Sequence, residues 1–356
     1  MRVASPVGPD HPLRKIGVGA TIRPMDVVEF RPTPDQYAWT FGGAAPTHRI
    51  RPGTALKLWT EDAFSGRLQR VTDRPSQVLD MTQVNPQTGP FFVEGAEPGD
   101  TLAIHIVDLT PARDWAASTT IPFFGALTHP YLLHDPLPER TWIYQLDRAR
   151  GTLAFEARNM SLELPLEPML GTVGVAPPGR EVRSSLVPDT FGGNMDTPEM
   201  KPGTTCFLGV NVEGALFSVG DGHYRQGEGE SCGTAVEGAM DVTLIVELIK
   251  GSATAPAPAW PRLEHDDHYA VVGSARPLED AWRASQHGMI MWLGELYGLD
   301  PLDAYQLLTQ IALSPLANVC DTNYSALTKV EKRHLPAADA HGGMHRHLRA
   351  QAEGLR

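Results

Sequence analysis

The stretch GDGHYRQGEGES, residues 220–231, brings together Asp221, His223, Gln226, Glu228 and Glu230 among four glycines. Asp221 and His223 are two apart, as are Glu228 and Glu230. In extended backbone, residues at i and i+2 project to the same side. One segment can therefore aim an imidazole and carboxylates at a common point, as a divalent metal or an acid–base pair requires. The glycines allow close approach of backbone to a ligand, at a cost in entropy. A polar hairpin tip in water would use the same residue types, and pattern alone leaves both readings open.

Other stretches compete for the same chemistry. GESCG, residues 229–233, fits G-x-S-x-G, but that motif needs a strand before Ser231 and a helix after it. Here a strand-like run follows, so Ser231 is a chance match. Cys232 is a candidate thiol nucleophile, yet neighbouring acids oppose the thiolate, which favours a structural cysteine. Residues 76–100 carry Asp80, Asn85, Glu94 and Asp100 among turn residues, and two hairpins with Asx turns account for them. FGGNMD, residues 191–196, gives Asn194 and Asp196 one direction. His265 and His268 of EHDDH read as a solvated loop, and HGGMHRH, residues 341–347, as part of a disordered tail. No P-loop, G-x-G-x-x-G or H-E-x-x-H occurs, so nucleotide binding and zincin chemistry have no support.

The elements that must hold these groups read as strands over most of the chain. TALKLWT (54–60), DTLAIHIVDL (100–109), GTLAFEA (151–157), LELPLEPML (162–170), GALFSVG (214–220) and MDVTLIVELI (240–249) show the alternation of half-buried strands. Residues 111–150 lose periodicity and read as a long structured loop. In it Trp115, Phe123, Phe124, Tyr131 and Trp142 either pack beneath the loop or wall a site. Residues 251–262 read as a Pro-rich connection. Beyond it Ala281, Ser285, Met289, Trp292 and Leu296 recur at helical spacing, with Gly298 as a stop. A second helix starts at Asp300-Pro301. The expected organisation is an N-terminal arm (1–20), two β-rich domains (21–170 and 171–260, the second bearing the site), an α/β C-terminal part (261–336) and a tail (337–356).

The length of 356 residues permits a large core, and Gly 34 with Pro 31 implies many turns. A formal net charge of −12 argues against nucleic acid or an anionic membrane as partner. No apolar run reaches the ~18–20 residues of a membrane span, and the N-terminus shows no apolar signal core. Three scattered cysteines suit a reducing, cytoplasmic setting.

Taken together, WTEDAFSG (59–66), NPQTGPFFVEGAEPGD (85–100), FGGNMDTPEMKPGTT (191–205), GALFSVGDGHYRQGEGESCGTAVEG (214–238) and VCDTNYSALTKVEKRHLP (319–336) resemble the acetamidase/formamidase family. The resemblance runs over residues 50–335. It implies a mainly β, sandwich- or barrel-like body with a smaller α/β portion, homo-oligomers, metal ions, and hydrolysis of a small amide to carboxylate and ammonia. It also moves Asp80, Asn85 and Glu94 from turn scaffolding to candidate site residues. Amide hydrolysis then assigns Asp196, His223 and Glu228 to a divalent metal such as zinc, Glu94 to general base and acid, and Asn85, Asn194 and Gln226 to the substrate. A Cys232 acyl-enzyme with Glu94 as base, acting on a longer or aryl amide, is the competing mechanism. A non-catalytic binding protein of the same fold is the alternative of a different class.

Overall fold

The computed structural model describes residues 25–127, 137–253 and 255–355. Two large open sheets dominate, so the body is mostly β but is not a closed barrel. The nine-stranded sheet runs in the order Val27–Phe30, Thr54–Thr60, Met240–Ile249, Thr101–Pro111, Thr205–Gly209, Arg262–Glu264, His268–Ala275, Tyr324–Glu331 and Leu316–Asn318. It draws strands from both expected β segments and from the C-terminal part, so those boundaries do not separate independent sheets. The second sheet has Trp115–Thr120, Val236–Glu237, Phe217–Arg225, Met169–Gly174 and Gly192–Asn194 as consecutive neighbours. Gln87–Val93 also pairs with Phe217–Arg225.

The main core lies where apolar residues from the two sheets meet. Leu56, Ile104 and Leu244 from the first pack in one cluster with Leu170, Phe217 and Val219 from the second, all fully buried. Thr101–Pro111 was expected to be half-buried, but it is covered on both faces. Leu102, Ile104 and Ile106 enter the main core, whereas Ala103 and Val107 join Phe207, Ile245, Leu348 and Ala352 in a smaller one. The last two belong to the Met344–Ala352 helix. The expected loose tail is therefore a docked helix, with His345 buried against Thr205 (2.9 Å). Its apolar content is low, and two buried apolar residues a turn apart, Leu348 and Ala352, give little periodicity to read.

Two further expectations change. Part of 111–150 is a hairpin pair, Trp115–Thr120 with Arg140–Asp147. EHDDH is a tight turn whose His268 is buried, 3.1 Å from Glu199 Oε2, while Asp267 Oδ1 touches both His265 and His268 Nδ1. The helices fall as the spacing predicts: Leu278–Tyr297 ends at left-handed Gly298, and Asp300 caps Pro301–Ile311 by accepting from Leu302 N.

Candidate active site

The segment 217–225 is a central strand, buried along nearly its whole length. Its glycines answer a packing demand. A Cβ on Gly220 would meet Gln87 Nε2 at 2.6 Å, and one on Gly222 would meet the Gly238 carbonyl oxygen at 2.7 Å. Between them, Asp221 adopts φ +61° and shares a point with His223 and Asp196. The neighbouring Met169–Gly174 strand supplies the space. A Cβ on Gly171 would stand 2.5 Å from both Asp196 Oδ1 and Asp221 Oδ2. Glycine at 171 thus leaves room for two carboxylates.

Five buried carboxyls surround one buried imidazole: Asp196, Asp221, Glu230, Glu237 and Asp321 around His223. His223 Nε2 lies 3.3 Å from Asp221 Oδ1 and 3.0 Å from Glu237 Oε2. These oxygens are within reach but off the N–H axis, so Nε2 makes no aligned hydrogen bond, and Glu237 Oε2 and Asp196 Oδ1 are likewise unpartnered. On the other side of the ring, Gln226 fixes the tautomer. Its Nε2 donates to the Asp196 and Ala317 carbonyls (2.5 and 2.9 Å), which leaves Oε1 to accept from His223 Nδ1 at 2.9 Å. The Nδ1–H is thereby committed, which leaves Nε2 as the nitrogen that faces the carboxylate cluster.

The electrostatics follow from burial. Desolvation, then the charges of Glu230, Asp321 and Asp221, push Asp196 well above the usual carboxylate range. Burial also raises Glu230 strongly and Glu237 less, although His223 acts to lower both. Asp321 is pushed up by burial to about 7. Only Asp221 is lowered: burial would raise it, but His223 outweighs burial. Burial likewise opposes charge on His223, yet Glu237 and Asp221 together raise it well above an ordinary imidazole. Such a cluster needs protons or a cation among its oxygens. His223 Nε2, Glu237 Oε2 and Asp196 Oδ1 are the donor atoms that could hold such a cation. Two donor groups share His223: Asp196–Asp221–His223 and His223–Glu230–Glu237.

Neutral amides hold the carboxylates in place. Gln87 Nε2 donates to Asn85 Oδ1 (2.7 Å), and Asn85 Nδ2 donates to Asn194 Oδ1 (2.8 Å). Asn194 Nδ2 in turn donates to Asp196 Oδ2 and Asp321 Oδ2, each at 2.8 Å. Asp321, Glu230, Glu237, Asp221, Asn85 and Asn194 line one cavity of about 180 Å³.

The structure sorts the sequence-derived candidates. Asp196 and His223 come together as assigned. Asn85 and Asn194 line the cavity, but their amide donors are spent on the chain itself. Gln226 stands behind His223 and positions it. Glu228 is exposed, and the buried carboxyl is Glu230, because φ +44° at Glu230 breaks the i, i+2 rule. Asp80 is exposed and accepts from Thr82 N (3.0 Å) and Oγ1 (2.7 Å), so it makes a turn rather than acting in the cavity. Glu94 sits exposed just past the Gln87–Val93 strand, and Cys232 is exposed with Sγ donating to the Thr234 carbonyl (3.2 Å). Neither lines the cavity, so the expected Glu94–Cys232 pair does not form there. Ser231 lies in an exposed turn. Of the five aromatics, Phe124 lines the cavity, Trp115 packs on the cluster of Phe64, Leu68 and Ala117, Trp142 packs on the main core, Phe123 is exposed, and Tyr131 lies outside the described residues. Glu237 and Asp321 were missed: Glu237 follows an apolar run, and Asp321 lies about a hundred residues away from the loop, with no local spacing to betray it.

Two open sheets thus carry a cavity floored by Asp221, Glu230, Glu237 and Asp321, with His223 buried among them. The acetamidase/formamidase family model matches residues 43–186 and 177–313, and the chain belongs to that family. The chain is similar to the crystal structure of an acetamidase from Yersinia enterocolitica, at 37% identity and TM-score 0.81, over 90% of this chain and 96% of that one. It is also similar to an acetamidase from Bacillus halodurans, at 29% identity and TM-score 0.77, over 86% and 98% of the two chains. The acetamidase of Mycolicibacterium smegmatis is 27% identical over 259 residues, which is 57% of this chain and 63% of that protein. The formamidase of Methylophilus methylotrophus is 26% identical over 250 residues, 56% and 61%. The aligned stretches thus span about three fifths of these curated relatives.

Proposed function

We propose that the protein is an amidohydrolase that splits the C–N bond of a primary amide into carboxylate and ammonia. One observation carries the reading: five buried carboxyls converge on an imidazole whose Nε2 is unpartnered, at the floor of a cavity. The mixed nitrogen and oxygen donors suit zinc or a similar divalent ion. His223 Nε2 with Asp196 and Asp221, or with Glu230 and Glu237, would hold it. When bound, such an ion polarises a carbonyl and lowers the pKa of water.

The chain's own residues then divide the remaining work. Gln226 keeps the proton on His223 Nδ1. Asn194 holds Asp196 and Asp321 by one amide nitrogen, which fixes the distance between the cluster and the proton carrier. Asp321 belongs to neither donor group and lines the cavity beside Glu230 and Glu237. A carboxyl poised there can hold a proton and deliver it to the leaving nitrogen. The unpaired Cys206, Cys232 and Cys320 accord with a reducing, cytoplasmic location. Among the described residues no helix is long and apolar enough to cross a membrane.

The test pairs elemental analysis with ammonia release from a panel of amides. Wild type is expected to carry a divalent ion and to release ammonia. His223→Ala should lose both, whereas Asp321→Asn should keep the ion and lose turnover. A folded, active His223→Ala protein would refute the assignment.

A further inference from the structure

The cavity above the carboxylate floor has a wall of different chemistry. Phe64, Leu79, Met81, Val84, Ile121 and Phe124 line it, on three separate loops. The loops are fastened by contacts that do not involve the floor. Asp62 Oδ1 accepts from Phe64 N and Gly66 N, both at 2.9 Å, and Arg113 Nη1 holds Asp62 Oδ2 at 2.6 Å. Phe64 is buried with Leu68 and Ala117 in an apolar cluster on which Leu79 also packs. Asn85 N donates to the Ala63 carbonyl (2.8 Å), tying the 79–85 loop to the 61–66 turn. The third loop is fitted to the 230–233 turn. Ala126 N donates to the Ser231 carbonyl (2.8 Å), and a Cβ on Gly233 would stand 2.4 Å from the Phe124 ring. Gly233 therefore leaves the place that Phe124 occupies.

The size of the space decides what the wall is for. The cavity measures about 180 Å³. An apolar cavity of about 150 Å³ is enough to accept a benzene ring. A formyl or acetyl group would leave most of the wall without contacts, since dispersion falls off steeply across a gap. We infer that the site takes a primary amide with an apolar, ring-sized acyl group, in preference to formamide or acetamide. This rests on the amide-hydrolase reading and adds the acyl specificity that Phe64, Leu79, Val84 and Phe124 impose.

The test is kcat/KM for ammonia release by the metal-loaded protein on formamide, acetamide, isobutyramide and benzamide. Each buried methylene favours binding about fourfold, so benzamide should exceed acetamide by at least about tenfold. Val84→Phe places a ring in the cavity and should lower the benzamide-to-acetamide ratio by about tenfold or more. Phe124→Ala, which removes wall rather than filling space, should lower the same ratio and guards against misfolding of the first variant. Turnover of acetamide or formamide with benzamide ignored, or a ratio unmoved in both folded variants, would overturn this inference alone. Silence on every amide would overturn the hydrolase reading and this inference with it.

Discussion

Gly171→Ala tests the cluster with the smallest possible change. The residue lies in the Met169–Gly174 strand, between Leu170 and Thr172, which pair with Gly222 and Gly220. Its φ is outside the left-handed region, so the backbone itself accepts alanine. The cost is therefore borne by the site. A Cβ there would sit 2.5 Å from Asp196 Oδ1 and 2.5 Å from Asp221 Oδ2, and ordinary contact begins near 3.4 Å. Each oxygen must retreat by about 0.9 Å, the difference of those two distances. Overpacking of a filled interior costs about 1–3 kcal/mol of stability. A displacement of about 1 Å at reacting groups costs on the order of 100-fold in rate. We expect Gly171→Ala to fold, to melt a few degrees lower, to bind less metal and to lose about 100-fold in kcat/KM. The assays are ammonia release, elemental analysis and circular-dichroism melting. An unchanged metal content with full activity would refute the claim that Asp196 and Asp221 act together.

Gln226→Met keeps the volume but strands two carbonyls and the His223 Nδ1–H. Metal affinity, read by calorimetric titration, should fall about 10- to 100-fold. Cys232→Ser should leave kcat/KM within about threefold of wild type, whereas loss of a nucleophile would cost several orders of magnitude. Glu199 governs part of the acid stability. Burial would raise its carboxyl, but His268 and Lys329 (2.5 Å) hold it down at about 2 against a reference of 4.5. Because the folded-state value is the lower one, the stabilisation is complete above about 4.5 and is lost as pH falls toward 2. The shift is on the order of 3 kcal/mol. Urea unfolding should show Glu199→Gln with a shallower loss of stability between pH 5 and about 2 than wild type.

Period-two runs made most of the sheet legible, and caps made the two large helices legible. Met240, Val242, Leu244 and Val246 alternate as expected, and Asp300-Pro301 starts a helix where the cap chemistry requires it. Three kinds of feature were hidden. Thr101–Pro111 is apolar on both faces, and the sequence around it did not show what covers Ala103 and Val107. The Met344–Ala352 helix that does so buries few residues, so its own pattern was weak. In the site, Asp196 and His223 were readable because each sits beside a turn or glycine signal within its own segment. Glu237 joins them across the pairing of Val236–Glu237 with Phe217–Arg225, and Asp321 joins through Asn194 Nδ2. The i, i+2 spacing puts Glu228 and Glu230 on one side, but the left-handed turn at Glu230 separates them and only Glu230 is buried.

The left-handed turn at Glu230 is one of several such positions that make the site. Among the described residues only ten non-glycine positions have φ > 0, and Asn85, Asp196, Asp221 and Glu230 are four of them. Strands alternate their side chains, so a sheet can send at most every second residue toward one point. His223 obeys that rule. The carboxyls and amide that must meet it come from the adjoining turn, from the end of Gly192–Asn194 and from the start of Gln87–Val93, where regular geometry would aim them elsewhere. A left-handed residue re-aims its side chain without moving the strand, at a cost of order 1–3 kcal/mol each. Such positions persist only when surrounding contacts over-determine them. Here the contacts are the amide chain from Gln87 through Asn85 and Asn194 to Asp196 and Asp321, together with Gln226 behind the imidazole. Asn85, Asn194 and Gln226, expected at a substrate, thus hold Asp196, Asp321 and His223 in place, while Thr172 Oγ1 (3.2 Å) holds Asp221.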